Sequence, residues 1–190
     1  MITLLLGLIL FLGIHSVSIL APQWRDRCAA RLGIQVWRGL YSLLSLAGLL
    51  LIIHGFALSR AAPMVLYTPG YTLHLIAAVL MLPVFPLLFA AYLPGRMQRA
   101  ARHPMLVAVK LWAVAHLLAN GLAADVLLFG GFLAWAVFDR ISLKRRPVRP
   151  VPGAPPGKWN DLLAIVLGLG AYALTVLWAH QRLFGVSPLA

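Results

Sequence analysis

The chain has 190 residues, 62% of them hydrophobic and 11% charged, with 16 Lys and Arg against 4 Asp and Glu for a net charge of +12. Soluble domains carry about a quarter charged residues, so this composition, with a mean hydropathy of +0.92, excludes an ordinary soluble domain and points to a lipid bilayer as the chain's solvent. The basic residues fall in short clusters beside apolar runs and form no continuous solvated face, which argues against nucleic acid as the partner.

Apolar runs that qualify as candidate membrane spans occupy residues 2–21, 40–58, 71–93, 105–119, 124–138 and 162–180. The expected fold is therefore all-α, a polytopic membrane helical bundle with about six transmembrane helices. The first run has no Lys or Arg ahead of it and is long enough to span, so it reads as a permanent anchor and not as a cleaved signal. Pro83 and Pro86 predict a kink in the third run. The fourth and fifth runs are short; Asn120-Gly121 between them suits a tight turn, Asp125 favours the start of the next helix, and a pair of half-depth helices is the alternative.

Between the last two runs, residues 147–156 contain Pro147, Pro150, Pro152, Pro155 and Pro156 and read as an extended linker. The domain reading is one membrane domain over residues 1–190. It comprises a five-helix unit at 1–138, a basic Pro-rich cytoplasmic linker at 139–158 and a last helix at 159–190.

Cytoplasmic loops accumulate Lys and Arg. Arg25, Arg27, Arg31 and Arg38 follow the first run, Arg96, Arg99 and Arg102 the third, and Arg140, Lys144, Arg145, Arg146, Arg149 and Lys158 the fifth. If all six runs cross, these thirteen of the sixteen basic residues share the cytoplasmic side and both termini lie opposite. Trp24, Trp37 and Trp159 lie near the basic face and Tyr67, Tyr71 and Trp178 near the other, as interfacial aromatics do. Lys110 reads as a snorkelling residue.

Glutamate is absent, and Asp26, Asp125, Asp139 and Asp161 are expected in loops or first helical turns, which disfavours paired-carboxylate catalysis inside the bundle. Cys28, the single cysteine, reads as a plain thiol. Histidine remains: His15, His54, His74 and His116 lie within apolar runs, His180 at the end of one and His103 at an edge. An intramembrane imidazole faces the bundle interior and marks a pathway or a ligand site, or it ties two helices by a hydrogen bond averaging about 0.6 kcal/mol. Neutral imidazole is also a standard axial ligand of haem, which needs one or two His on helices beside an apolar slot and no carboxylate. Trp112, His116 and Asn120 recur every four residues and share one helical face, giving His116 an aromatic neighbour and a potential polar partner. Arg102-His103-Pro104 has a purely structural reading, because Pro suits a first helical turn and disfavours helix in the residue before it.

Taken together, Gly13-Ile-His-Ser16, Trp37-Arg-Gly-Leu-Tyr-Ser42, Arg102-His-Pro104, Ala115-His-Leu-Leu-Ala-Asn-Gly121 and Asp139-Arg-Ile-Ser-Leu-Lys144 resemble the NnrU family of bacterial inner-membrane proteins over nearly the whole chain. That family is named for a link to nitrite and nitric oxide reduction (denitrification). It is similar to 15-cis-zeta-carotene isomerase, a membrane enzyme with haem b between two histidines. The resemblance implies a bacterial inner-membrane location, where the charge pattern above puts both termini on the periplasmic side, and haem b on His15 and His116. It also implies redox or isomerase-type chemistry, on a hydrophobic small molecule if the isomerase is the guide. The isomerase's redox-dependent cysteine, three residues before the second histidine, is replaced here by Ala113, so the resemblance carries no ligand exchange at that position. A wider resemblance, to isoprenylcysteine carboxyl methyltransferases that use S-adenosylmethionine, rests on Arg102 and His103. The Glu-rich signature of those enzymes is missing, its place reading Asp139-Arg140. A non-catalytic accessory or assembly protein is the third reading.

Overall fold

A computed structural model describes residues 1–146 and 152–188. Its helices in chain order are α1 (Ile2–Leu20), α2 (Pro22–Leu32), α3 (Ile34–Ala61), α4 (Tyr71–Met81), α5 (Val84–Ala90), α6 (Arg96–Ala101), α7 (Pro104–Ala119), α8 (Ala123–Ser142), α9 (Asn160–Leu174) and α10 (His180–Phe184), with a π-helical turn (Thr175–Ala179) joining the last two. The fold is all-α, as expected. By contact the described residues divide into two compact units, one from residues 1–68 and 120–146, the other from 69–119 and 152–188.

Four stretches have the length and apolar composition to cross a bilayer: Ile2–Leu20, Ile34–Ala61, Tyr71–Ala90 and Asn160–Phe184. Their outward side chains are large and apolar; Leu6, Ile9, Leu43, Leu50, Val79 and Leu177 are all exposed, as a lipid-facing surface requires. The other two expected spans form helices of a different kind. α7 has 16 residues, about 24 Å of helix at 1.5 Å per residue, short of the roughly 30 Å hydrocarbon core. α8 has 20 residues but includes Asp125, Asp139 and Arg140.

In the first unit α1 and α3 pack as an antiparallel pair at very close range. A Cβ on Gly48 would come 2.8 Å from the Phe11 backbone nitrogen, and one on Gly55 would strike the backbone of Leu4. Small residues at these positions let two backbones approach where lipid supplies no hydrophobic drive. α8 lies beside α1 and runs parallel to it, Gly131 facing Leu8 and Leu12. Asp125 fixes the start of α8 by accepting the Leu122 N–H at 3.0 Å, which bears out its expected role at a helix start. The strand-like segments flanking this unit pair with each other: Val65 and Leu122 form an antiparallel bridge. The Gly121 carbonyl there accepts from Leu66 N at 2.8 Å and Tyr67 N at 3.2 Å.

Two aspartates depart from expectation. Asp26 lies inside α2, a helix that its polar composition concealed. Asp139 sits in the last full turn of α8, because that helix continues to Ser142, one turn beyond the apolar run. Asp139 is buried there and paired with the Arg146 guanidinium.

In the second unit the expected kink falls between α4 and α5 at Leu82-Pro83. Helices α4, α5 and α6 pack on α7, and α5 also packs on α9. Gly168 of α9 lies so close to Pro86 that any Cβ would overlap its backbone. The start of α9 ties down the preceding chain. Asn160 donates its amide to the carbonyls of Pro94 at 2.9 Å and Pro155 at 3.0 Å, and Asp161 accepts the N–H groups of Arg96 at 2.8 Å and Met97 at 3.0 Å. Ala154 donates to the Tyr92 carbonyl at 2.8 Å, so this end of the Pro-rich stretch is docked on the 92–94 loop. Residues 147–151 of that stretch lie outside the described residues.

Candidate functional site

His15 stands in the middle of an aromatic cluster drawn from three helices of the first unit. Its ring stacks on Phe11, four residues earlier on α1, at 4.2 Å between centroids and 27° between planes. Tyr41 of α3 presents its ring at 5.1 Å and Trp135 of α8 at 6.0 Å, both edge-on. Phe132 extends the cluster through Phe11 at 5.6 Å. The close approach of α1 to α3 is what brings Tyr41 within reach. The His15 Nδ1–H donates to the Phe11 carbonyl at 2.6 Å. A carbonyl cannot donate, so this contact fixes the proton on Nδ1 and the lone pair on Nε2.

His116 in the second unit has the same local arrangement. Its Nδ1–H donates to the Trp112 carbonyl one turn earlier at 2.8 Å, and its ring lies 5.3 Å from the Trp112 ring. The expected aromatic neighbour is thus in place. The nearby Ala113 is fully buried.

Arg102 and His103 also belong to the second unit, at the joint between α6 and α7. Pro104 opens α7 as its first residue, in line with the preference of proline for that position. The turn before it is strained. Arg102 has φ 59° and ψ −43°, and His103 N–H donates to the Ala101 carbonyl at 2.6 Å, which together make a γ-turn of the rare positive-φ kind. Arg102 is the one non-glycine residue with positive φ among the described residues. Thirteen residues of helix, about 20 Å at 1.5 Å each, separate His103 from His116. The two therefore do not converge on one point.

The other histidines do different things. His54 is exposed on α3. His74 donates to the Gly70 carbonyl at 3.2 Å, and His180 pairs with the Val186 carbonyl at 2.8 Å beside the Phe184 ring. Among the described residues no group of three or more His, Cys, Asp or Glu side chains is gathered to hold a bare metal ion. Haem asks for less from the protein, because the porphyrin supplies four ligands to iron and the chain one or two. Either imidazole could meet that demand by itself: His15 and His116 each turn Nδ1 toward a carbonyl of their own helix and lie beside an aromatic ring.

The family of NnrU proteins matches residues 3–188. This chain belongs to the NnrU family. The match takes in both histidine helices, the Arg102-His103-Pro104 turn and the last helix, so the NnrU fold is essentially the whole of this chain. No curated protein and no solved structure matches it significantly.

Sequence reasoning missed the rings around His15. Phe11 is legible as an i−4 neighbour, but Tyr41 and Trp135 come from 26 and 120 positions away, and no local pattern marks them. It also missed the strain at Arg102, since proline signals a helix start and says nothing about the φ of a residue two places earlier.

Proposed function

We propose that this NnrU protein is a haem b protein of the bacterial inner membrane, in which His15 and His116 would hold the haem, serving redox or isomerase-type chemistry or supporting nitrite and nitric oxide reduction. The observation that carries the reading is the shared tautomer: each imidazole spends Nδ1–H on its own helix and keeps the Nε2 lone pair that iron requires. When bound, haem supplies one-electron chemistry or a Lewis-acidic iron that an imidazole alone does not provide. The chain's own contribution is to orient and to shield. The Phe11 and Trp112 carbonyls set ring rotation. Phe11, Tyr41 and Trp135 surround His15 with apolar area that keeps water from the ligand, which governs the potential of a haem iron. A hydrophobic substrate reaching such a site from the bilayer needs no aqueous path.

The test is the absorption spectrum of protein purified after haem-replete expression. A Soret band is expected in the parent and in His54→Ala, and its loss in His15→Ala and in His116→Ala. A parent without the band, or His116→Ala that retains it unchanged, refutes the reading.

A second reading is favoured by the γ-turn at Arg102, since strain of about 1–3 kcal/mol per residue in such backbone conformations clusters at functional sites. Under it Arg102 and His103 bind S-adenosylmethionine in a membrane methyltransferase. Saturable heat of binding with S-adenosylmethionine, lost in Arg102→Ala, separates it from the haem reading. A non-catalytic accessory role predicts neither signal.

A further inference from the structure

A groove of about 640 Å³ runs between α1 and α8 within the first unit, a volume in the range of sites that hold small organic molecules. Its two ends differ in chemistry. Leu12, Ile19, Leu20, Phe138 and Ile141 line it with hydrocarbon, while Ser142, Arg145 and Arg146 close it at the C-terminal end of α8. Because α1 and α8 run parallel, that end also meets the end of α1 and Pro22 of α2.

Arg146 is held in place at the cationic end of the groove. One of its terminal nitrogens is engaged by Asp139, and its side chain is only 12% exposed. Its Nε is buried and has no acceptor among the described residues. A guanidinium carries five N–H donors in a planar fork, of which the Asp139 carboxylate holds one terminal nitrogen. The Trp135 Nε1–H, also on the groove lining, is likewise buried without an acceptor. Donors of this kind are costly to leave unmade. Arg145, exposed at this end of the groove, and its neighbour Lys144 call for an anion, and phosphate oxygens match a guanidinium fork in geometry as well as charge.

We infer that the groove is a binding site for a single anionic phospholipid, its phosphate on Arg145 and Arg146 and one acyl chain laid along α1 and α8. A zwitterionic headgroup would bring a second cation to an end already rich in Arg and Lys. An uncharged apolar molecule would leave the cationic end of the groove unmatched. The groove shares Trp135 with the ring cluster at His15, but the inference needs no iron on His15.

The test is lipid retention by the full-length protein, stripped of lipid in a neutral detergent and titrated with phosphatidylglycerol or phosphatidylcholine, with bound lipids counted by native mass spectrometry. One phosphatidylglycerol per chain is expected, at an affinity at least about tenfold above that for phosphatidylcholine. Arg145→Gln removes an exposed cation and Ile141→Trp fills the apolar half of the groove. Each is expected to weaken retention about tenfold with the thermal unfolding profile preserved, and if one of them fails to fold the other decides. Equal retention of the two lipids, retention unchanged in the folded variants, or full competition by glycerol phosphate, which has the phosphate and no chain, overturns the proposal.

Discussion

His15 and His116 share one hydrogen-bond scheme in two differently built surroundings. The first unit sets α1 against α3 as unbroken helices of 19 and 28 residues, drawn together at Gly48 and Gly55, and the result is a ring cluster from three helices around His15. The second unit is assembled from interrupted helices, with a break at Leu82-Pro83, a strained turn at Arg102 and a π turn before His180. There His116 has the Trp112 ring of its own helix beside it. The tautomer is a local property, available wherever a helical imidazole reaches back one turn, so it is the same in both units. The shielding is a tertiary property and depends on how closely neighbouring helices come.

The strongest way to break this contrast is at the buried ion pair that anchors the end of α8. Arg146→Met leaves the Asp139 carboxylate buried without its cation, a loss of about 3–5 kcal/mol. The double variant Asp139→Asn, Arg146→Met is expected to recover most of it, because both charges leave together. Unfolding in mixed detergent micelles, read from the CD signal, checks both. A double variant as unstable as the single one would mean that the pair is not the source of the effect.

Next come the close helix contacts, one in each unit. Gly48→Ala places a methyl group 2.8 Å from the Phe11 nitrogen, and Gly168→Ala drives one into Pro86. Each requires a backbone to move and is expected to cost about 1–3 kcal/mol. Their local consequences differ. Hydrogen exchange should quicken in α1 and α3 for Gly48→Ala and in α5 and α9 for Gly168→Ala. Only the former should disturb the contact between Tyr41 and His15, seen as a change in Tyr absorption or in the His15 NMR signal. Matching exchange patterns in the two variants would refute the local picture.

Asn160→Ala should have a smaller effect confined to the second unit. Its amide bridges the Pro94 and Pro155 carbonyls, and removing it is expected to cost about 1–2 kcal/mol. Trypsin should cut at Arg96 and Arg99 faster than in the parent. Unchanged cleavage would assign the hold on this loop to Asp161 and the Ala154–Tyr92 hydrogen bond.

What the sequence disclosed follows the same division between local and tertiary. The helices were legible because apolar runs are bounded by Pro, Gly and Asp: α1, α7 and α9 begin or end within two residues of the expected runs. The Trp112 neighbour of His116 was legible because a one-turn spacing is a helical constant. α2 escaped because its residues are polar and its start is marked only by Pro22. The bridge between Val65 and Leu122 joins two short segments with no periodicity. Tyr41 and Trp135 reach His15 only through the approach of α3 and α8 to α1, and the glycines that permit it carry no address for their partner.

The smallest effect tests whether glycine in these helices is there for contact or by tolerance. Gly13 of α1 and Gly170 of α9 have open space where a Cβ would stand. In water, exchanging a mid-helix Gly for Ala gains roughly 0.5–1 kcal/mol, mainly by restricting the unfolded chain. In a bilayer the separated helices stay helical, because an unpaired backbone is too costly in hydrocarbon, so little of that entropy is at stake. Gly13→Ala and Gly170→Ala should therefore each shift stability by about 0.5 kcal/mol or less, in the stabilising direction and alike in the two units. If Gly13→Ala instead weakened the first unit as Gly48→Ala does, the contact with α3 would extend round a wider face of α1 than Gly48 and Gly55 define, and the ring cluster at His15 would owe its closure to that wider face.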